Sequence, residues 1–211
     1  MAKFLAIIGA GGFGREIAQY SKDINREQNK WDGIFFLDDY ISPGTVIDGI
    51  TVLGKIESIN GDHVEQYNVI CGIAKPEIKK QMVKRSQDSG LEFISLIHPE
   101  TYIAPGVSIG YASVIAPRTV ITVNVGIGNH VGINPQCGIG HDVVVGDYST
   151  LYWNVNLSGH VIVKEECELG TKSTILQGIT VAKRTIVGAG ALVTKHTQEG
   201  TTVVGIPAKL L

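Results

Sequence analysis

An α/β domain over residues 1–95, followed by an all-β parallel β-helix over residues 96–211, is the architecture this sequence predicts. Three observations carry the prediction. Every sixth residue from Ile97 to Val193 is isoleucine, valine or leucine, seventeen positions in register, and the run stops at Glu199. Ahead of it the period is different: a short apolar run, Phe4 to Ile8, leads into Gly9-Ala-Gly11-Gly12-Phe-Gly14 and then a helical stretch. The junction Leu96-Ile-His98-Pro99 separates the two regimes, with Pro99 disfavouring helix at His98.

A six-residue period belongs neither to an α-helix nor to an ordinary strand. It describes a chain coiling about one axis, three hexads to a triangular coil and successive coils roughly 4.8 Å apart. Four residues after each ladder position the side chain is small or β-branched, as at Ser113, Thr119, Val125, Val131, Cys137, Ser149, Cys167 and Ser173. Glycine often follows the ladder residue directly, at Gly110, Gly128, Gly140, Gly146, Gly170 and Gly188, and a tight backbone bend is expected there. Flat prism faces suit packing against copies of the same chain.

The first region reads as alternating strands and helices. Phe4–Ile8 is a buried strand, Arg15 onward a helix, and Gly33 to Leu37 a second strand ending in Asp38-Asp39. Asn68 to Gly72 is a third strand, followed through Ala74 by a helix opening at Pro76, a favoured first-turn residue, and Glu92 to Ser95 a last strand. Strand, G-x-G-x-x-G, helix is a Rossmann-like dinucleotide-binding context. Its glycines let phosphate oxygens approach the backbone, and the helix N-terminus supplies N–H groups and a positive dipole end. An acid at the end of the second strand can bind a ribose of NAD, or equally the base or ribose of a nucleotide-linked sugar. A purely structural alternative has the glycines packing helix on strand and binding nothing.

Composition narrows the function classes. A net charge of −2 argues against nucleic acid and against an anionic membrane surface. The three cysteines, Cys71, Cys137 and Cys167, are too scattered for a disulfide framework and read as small buried hydrophobes in a reducing compartment. The N-terminal apolar run is too short for a membrane span, and a cytoplasmic location is expected.

The chain has six histidines, and the ladder locates those in the repeats. Residues eighteen apart stack on adjacent coils, so Asn124, Asp142 and His160 form one column, and Val123, His141 and Gly159 the next. His141 is expected near a corner with Asp142 beside it and open space over Gly159, enough for a slender ligand arm. Asp142 reaches His141 only where the coil bends, which Gly140 would permit. Acyl transfer needs a base for the attacking amine or hydroxyl and a group that orients it, roles an imidazole and an adjacent carboxylate fill. His98 reads as a boundary residue and His130 falls elsewhere on the prism.

The segment Gly140-His141-Asp142-Val-Val-Val-Gly146-Asp147, with Gly9 to Gly14, Phe36-Leu-Asp38-Asp39, His98-Pro99 and the ending Gly188 to Lys195 and Val204 to Lys209, resembles the sialic acid O-acetyltransferase and bacterial nucleotide-4-amino-sugar N-acetyltransferase family of hexapeptide-repeat acyltransferases. The resemblance covers nearly the whole chain. It implies an α/β N-terminal Rossmann-like domain followed by a left-handed parallel β-helix, a homotrimer, acetyl-CoA as co-substrate and no metal. It assigns His141 as base and Asp142 as its partner, with Gly11, Gly12, Asp38, Asp39 and the backbone around Ala74 contacting the nucleotide. Gly159, Thr171 and Ala189 would line the coenzyme groove. Some members carry a second histidine nine residues after the base; here that position is Thr150, whose hydroxyl is assigned to the thioester region. Lys172, Lys183, Arg184 and Lys195 are candidate cations for coenzyme phosphates.

The leading expectation is therefore acetyl transfer to the amino group of a nucleotide-linked amino sugar, a 4-amino-4,6-dideoxy sugar by resemblance. Sialic acid O-acetylation is the runner-up. A zinc-dependent carbonic anhydrase on the same kind of β-helix needs three converging histidines, and the spacing of His130, His141 and His160 does not match that pattern. An NAD-dependent enzyme lacks a hydride-transfer site, and a non-catalytic scaffold is the remaining alternative.

Overall fold

A computed structural model describes residues 3–211; Met1 and Ala2, which open the N-terminal run, and the side chain of Asp62 lie outside it. The chain forms two compact units, Met1–His98 and Pro99–Leu211, against the sequence boundary at 95/96.

In the first unit the elements are β1 (Phe4–Ile8), α1 (Gly12–Gln28), β2 (Gly33–Leu37), β3 (Val46–Ile47), β4 (Ile50–Gly54), β5 (Tyr67–Cys71), α2 (Pro76–Asp88) and β6 (Glu92–Phe93). They make one sheet in the order β3-β4-β2-β1-β5-β6, parallel except for the β3–β4 hairpin. β1 is central, and its Leu5, Ala6 and Ile7 are fully buried, as a continuous apolar run in a parallel sheet requires. The hairpin is an element the motif reading missed. Asp48 and Gly49 both take positive φ (49° and 76°), so an Asp-Gly pair builds the tight turn between two short apolar strands.

The glycine loop has two kinds of glycine. A β-carbon on Gly14 would run into the carbonyl of Gly9, so Gly14 brings α1 down onto the end of β1. Gly11 and Gly12 have nothing within 4 Å of where a β-carbon would stand. The chain leaves β1 for β2 on one side and later takes β5 on the other, so the carboxyl ends of these three strands frame the crevice.

The second unit is a parallel β-helix. Two-residue strands pair with their counterparts eighteen residues on, as in Gly132–Ile133 with Thr150–Leu151, Gly138–Ile139 with Asn156–Leu157, and Val144–Val145 with Ile162–Val163. These pairs represent three faces. Ladder residues from Ile115 to Val193 are buried in a single column of aliphatics, while Ile103 and Ile109 are partly covered and Ile97 is 38% exposed. The small side chains between them close the coils. Ser113 Oγ donates to the Gly128 carbonyl (2.9 Å) and accepts from Val131 N–H (3.0 Å); Ser149 does the same with Lys164 and Cys167 (3.0 and 3.1 Å).

The structure corrects the expected bends. Gly110, Gly128, Gly140, Gly146, Gly170 and Gly188 do not take positive φ; a β-carbon there would meet the neighbouring coil, as Gly140 would meet the Leu157 carbonyl and Gly159 N. These glycines let coils stack closely. The turns come two residues later, at Ala112, Arg118, Asn124, His130, Gln136, Asp142, Tyr148, Asn154, His160, Glu166, Lys172 and Arg184, all at φ between 55° and 62°. Ordinary side chains rarely adopt this region. From His130 to Arg184 each such residue donates its N–H to the coil before, as His160 does to the His141 carbonyl (2.9 Å), and the stack holds the conformation.

Candidate active site

Asp142 occupies a left-handed corner (φ 61°), which turns its carboxylate back beside His141. The bend the pair needs is thus made by Asp142 itself, not by Gly140. Asp142 Oδ2 lies 2.8 Å from His141 Nδ1, and Oδ1 accepts a hydrogen bond from Asn124 Nδ2 at 2.6 Å. Asn124 below and His141 beside it hold the carboxyl below its ordinary 3.8, with the charges of His160 and His141 acting in the same direction. With Nδ1 on the carboxylate, the other ring nitrogen of His141 is left to take a proton. The side chain of His141 is half exposed, and Asp142 about a third.

The space above Gly159 is filled. A β-carbon on that residue would fall against Cε1 and Nε2 of His141, so the glycine seats the imidazole itself and leaves no gap for a ligand arm. The open ground lies on the adjoining face. A depression of about 310 Å³ runs over Val120, Thr122, Gly138, Gly140, Asn156 and Ser158, where Gly138 supplies no side chain. His160 completes the corner: its Nε2 is 3.6 Å from the same Asp142 Oδ2, and its ring meets His141 edge-to-face at 5.0 Å. His141, Asp142 and His160 each present a ligand atom within 4.8 Å of the others, the one such group of metal-capable side chains among the described residues.

The other groove residues are placed unevenly. Gly159 is buried against the His141 ring, and Thr171 and Ala189 are exposed at the opposite edge of the face that carries the depression. Thr150 is not brought to this corner. Nine residues are half a coil, and Thr150 lies fully buried in a strand across the prism. Of the candidate cations, Lys183 pairs with Glu166 (3.7 Å) and Arg184 with Glu199 (2.5 Å), while Lys172 is exposed at a corner. His130 is buried between Tyr111 and Tyr148, and His98 is buried near Asp23 and Tyr20, so neither forms part of the site.

In the first unit, α1 begins at Gly12 without a side-chain cap, leaving its first N–H groups directed past the open Gly11 and Gly12. Asp38 is committed to the loop: Oδ2 accepts from Ala10 N–H (3.0 Å) and Oδ1 from Tyr40 N–H (2.9 Å). Asp39 is committed to Arg85, whose guanidinium grips it (2.5 and 2.9 Å) and also Glu57 (2.5 and 2.6 Å). That bond drives the Glu57 carboxyl down to about 2. The paired acids therefore shape the crevice more than they present free acceptors. Around them lie two cavities, of about 470 and 300 Å³, the smaller lined by Ile8, Leu37, Ile56, Ile73 and Met82, with Tyr40, 96% exposed, on the rim of both. Ala74 follows β5, half-buried, at the start of the turn into α2.

Residues 4–86 match the family described as the PglD N-terminal domain. Over the full length of both chains, the structure is similar to the acetyltransferase domain of PglB from Neisseria gonorrhoeae FA1090 in complex with acetyl coenzyme A, at 28% identity and a TM-score of 0.91. Residues 4–86 thus form a PglD-type N-terminal domain, and the whole chain shares the fold of an acetyltransferase domain that joins such a unit to a β-helix. The β-helix is left-handed, as the resemblance implies. PerB from Caulobacter crescentus, solved in complex with CoA and GDP-perosamine, shares the fold over 98% of this chain and 96% of its own (23% identity, TM-score 0.87). GDP-perosamine N-acetyltransferase of Escherichia coli O157:H7 is 29% identical over 129 residues, which span 61% of this chain and 58% of that relative. No helix among the described residues is long and apolar enough to cross a membrane.

Proposed function

We propose that the protein transfers an acetyl group from acetyl-CoA to the amino group of a nucleotide-linked amino sugar, with a 4-amino-4,6-dideoxy sugar as the preferred class. The observation that carries this reading is the 2.8 Å pairing of His141 Nδ1 with an ionised Asp142 at an exposed corner of a hexapeptide β-helix. The similarity to an acetyltransferase domain solved with acetyl coenzyme A supports it.

His141 Nε2 takes a proton from the sugar amine as the nitrogen lone pair attacks the thioester carbonyl. The tetrahedral intermediate collapses with cleavage of the carbon–sulfur bond, and the thiolate leaves with the proton held by the imidazolium. Asp142 fixes the ring and stabilises its cationic form. The thioester arm lies over the Gly138 depression beside the base, between Gly159 and the edge bearing Thr171 and Ala189. The nucleotide phosphates meet the backbone at Gly11 and Gly12, and Asp38, Asp39 and Ala74 shape the walls that receive the rest.

The working form is a homotrimer in the cytoplasm. Thr150 sits half a coil from His141, so a second group on the thioester has to come from a neighbouring copy or be absent. The reading is tested by thiol release from acetyl-CoA with UDP-, GDP- and dTDP-linked 4-amino sugars and with sialic acid. Turnover with one nucleotide amino sugar is expected; turnover with sialic acid alone would replace it with O-acetylation.

A further inference from the structure

The corner at Asp142 holds one more imidazole than proton abstraction requires. His160 is not needed for the 2.8 Å contact between His141 and Asp142, yet its Nε2 faces the same carboxylate oxygen at 3.6 Å. We propose that His141, Asp142 and His160 form a binding site for a borderline divalent transition ion of the Zn²⁺ class, and that occupancy shuts off the base. The ion is an inhibitor in this account and has no part in turnover.

The donor set is nitrogen, oxygen, nitrogen, which suits Zn²⁺, Co²⁺ or Ni²⁺ and not the all-oxygen preference of Mg²⁺ and Ca²⁺. Tetrahedral zinc with bonds near 2.0–2.2 Å sets its ligand atoms about 3.3–3.5 Å apart. The two contacts to Asp142 Oδ2, 2.8 and 3.6 Å, bracket that spacing, and all three ligand atoms already lie within 4.8 Å of one another. Small rotations of exposed side chains suffice, with 51%, 35% and 57% of the three side chains open to solvent and therefore to an entering ion and its remaining water. The backbone beneath is fixed: Asp142 and His160 are stacked left-handed corners, and His160 N–H is bonded to the His141 carbonyl. Asn124 holds Oδ1, which leaves Oδ2 to the ion and supplies the outer hydrogen bond that orients a metal-binding carboxylate.

A metal on His141 Nδ1 forces the ring proton onto Nε2. The nitrogen that would receive the amine proton is then already protonated, and Asp142 is neutralised by the ion. The binding claim stands on geometry alone, whereas the inhibition claim rests on the acetyl-transfer reading.

The test uses metal-stripped, tag-free full-length protein at neutral pH. Equilibrium dialysis with Zn²⁺, and Co²⁺ absorption spectra, should show one ion per chain in a four-coordinate field. His160→Gln and Asp142→Asn should each weaken binding at least tenfold, with folding checked by circular dichroism, while His196→Gln leaves binding as in the wild type. Thiol release should fall with Zn²⁺ and recover with EDTA. Absence of stoichiometric binding, or binding indifferent to both His160→Gln and Asp142→Asn, would overturn the proposal. His160-dependent binding in a protein that transfers no acetyl group would sustain the site and remove the function assigned to its neighbour.

Discussion

The imidazole of His141 lies across Gly159 of the next coil, in the volume that a β-carbon on residue 159 would occupy. The position of the base is therefore set from above by a missing side chain and from the side by Asp142. Neither constraint alone fixes both the place of the ring and its rotation.

Gly159→Ala should move the ring without unfolding the coil, because Gly159 does not have a positive φ. Misplacing a catalytic group by about 1 Å costs on the order of 10²-fold in rate. We expect kcat to fall roughly 10- to 100-fold with little change in KM or in thermal midpoint. A variant with unaltered kcat would show that the seat is unimportant.

Asn124 is the first cause of the low carboxyl pKa of Asp142, ahead of His141 itself. Asn124→Ala should raise that pKa toward 3.8, read by ¹³C NMR of the labelled carboxyl. A depressed folded pKa gives stability that is present above the ordinary carboxylate range and lost as pH falls through the folded value. The variant should therefore lose part of its acid-limb dependence in that window. An unshifted carboxyl resonance would contradict the assignment.

Arg85 reaches both Asp39 and Glu57, and its removal strands two carboxylates at the crevice wall. Because the side chains are 22–53% exposed, the expected loss for Arg85→Met is modest, about 1–2 kcal/mol by urea denaturation at neutral pH. Glu57 falls from 4.5 to about 2 in the folded state, so the deficit should shrink as pH drops through that interval. A deficit that persists unchanged at pH 2 would place its origin elsewhere.

Tyr40 stands 96% exposed on the rim of both crevice cavities, where an unpartnered ring offers a stacking surface for a nucleobase. Tyr40→Ala should raise KM for the nucleotide sugar roughly five- to tenfold, about 1–1.4 kcal/mol, and leave kcat unchanged. Equal kinetics would place the base elsewhere.

The parts legible in the sequence are those written in local pattern. β1, β2 and the start of α2 at Pro76 were readable because apolar runs and a first-turn proline mark them directly. The ladder defines the coil, and the eighteen-residue spacing alone places Asn124, Asp142 and His160 in one column. The glycine signal is ambiguous in sequence because close stacking and tight turning both select glycine, and only the φ angles separate them. The corners themselves leave almost no trace, since tertiary stacking forces histidine, tyrosine and glutamate alike into a left-handed conformation. Arg85 was invisible for another reason: its partners lie 46 and 28 residues away, and no motif joins them.

His141 is the residue on which the account turns. The most direct measurement compares thiol release by wild type and His141→Ala at saturating acetyl-CoA and nucleotide amino sugar, with binding of both ligands followed by calorimetry. Loss of a general base should lower kcat by roughly 10²- to 10⁴-fold while both ligands still bind. Turnover within a few-fold of wild type would contradict the role of His141 and, with it, the mechanism.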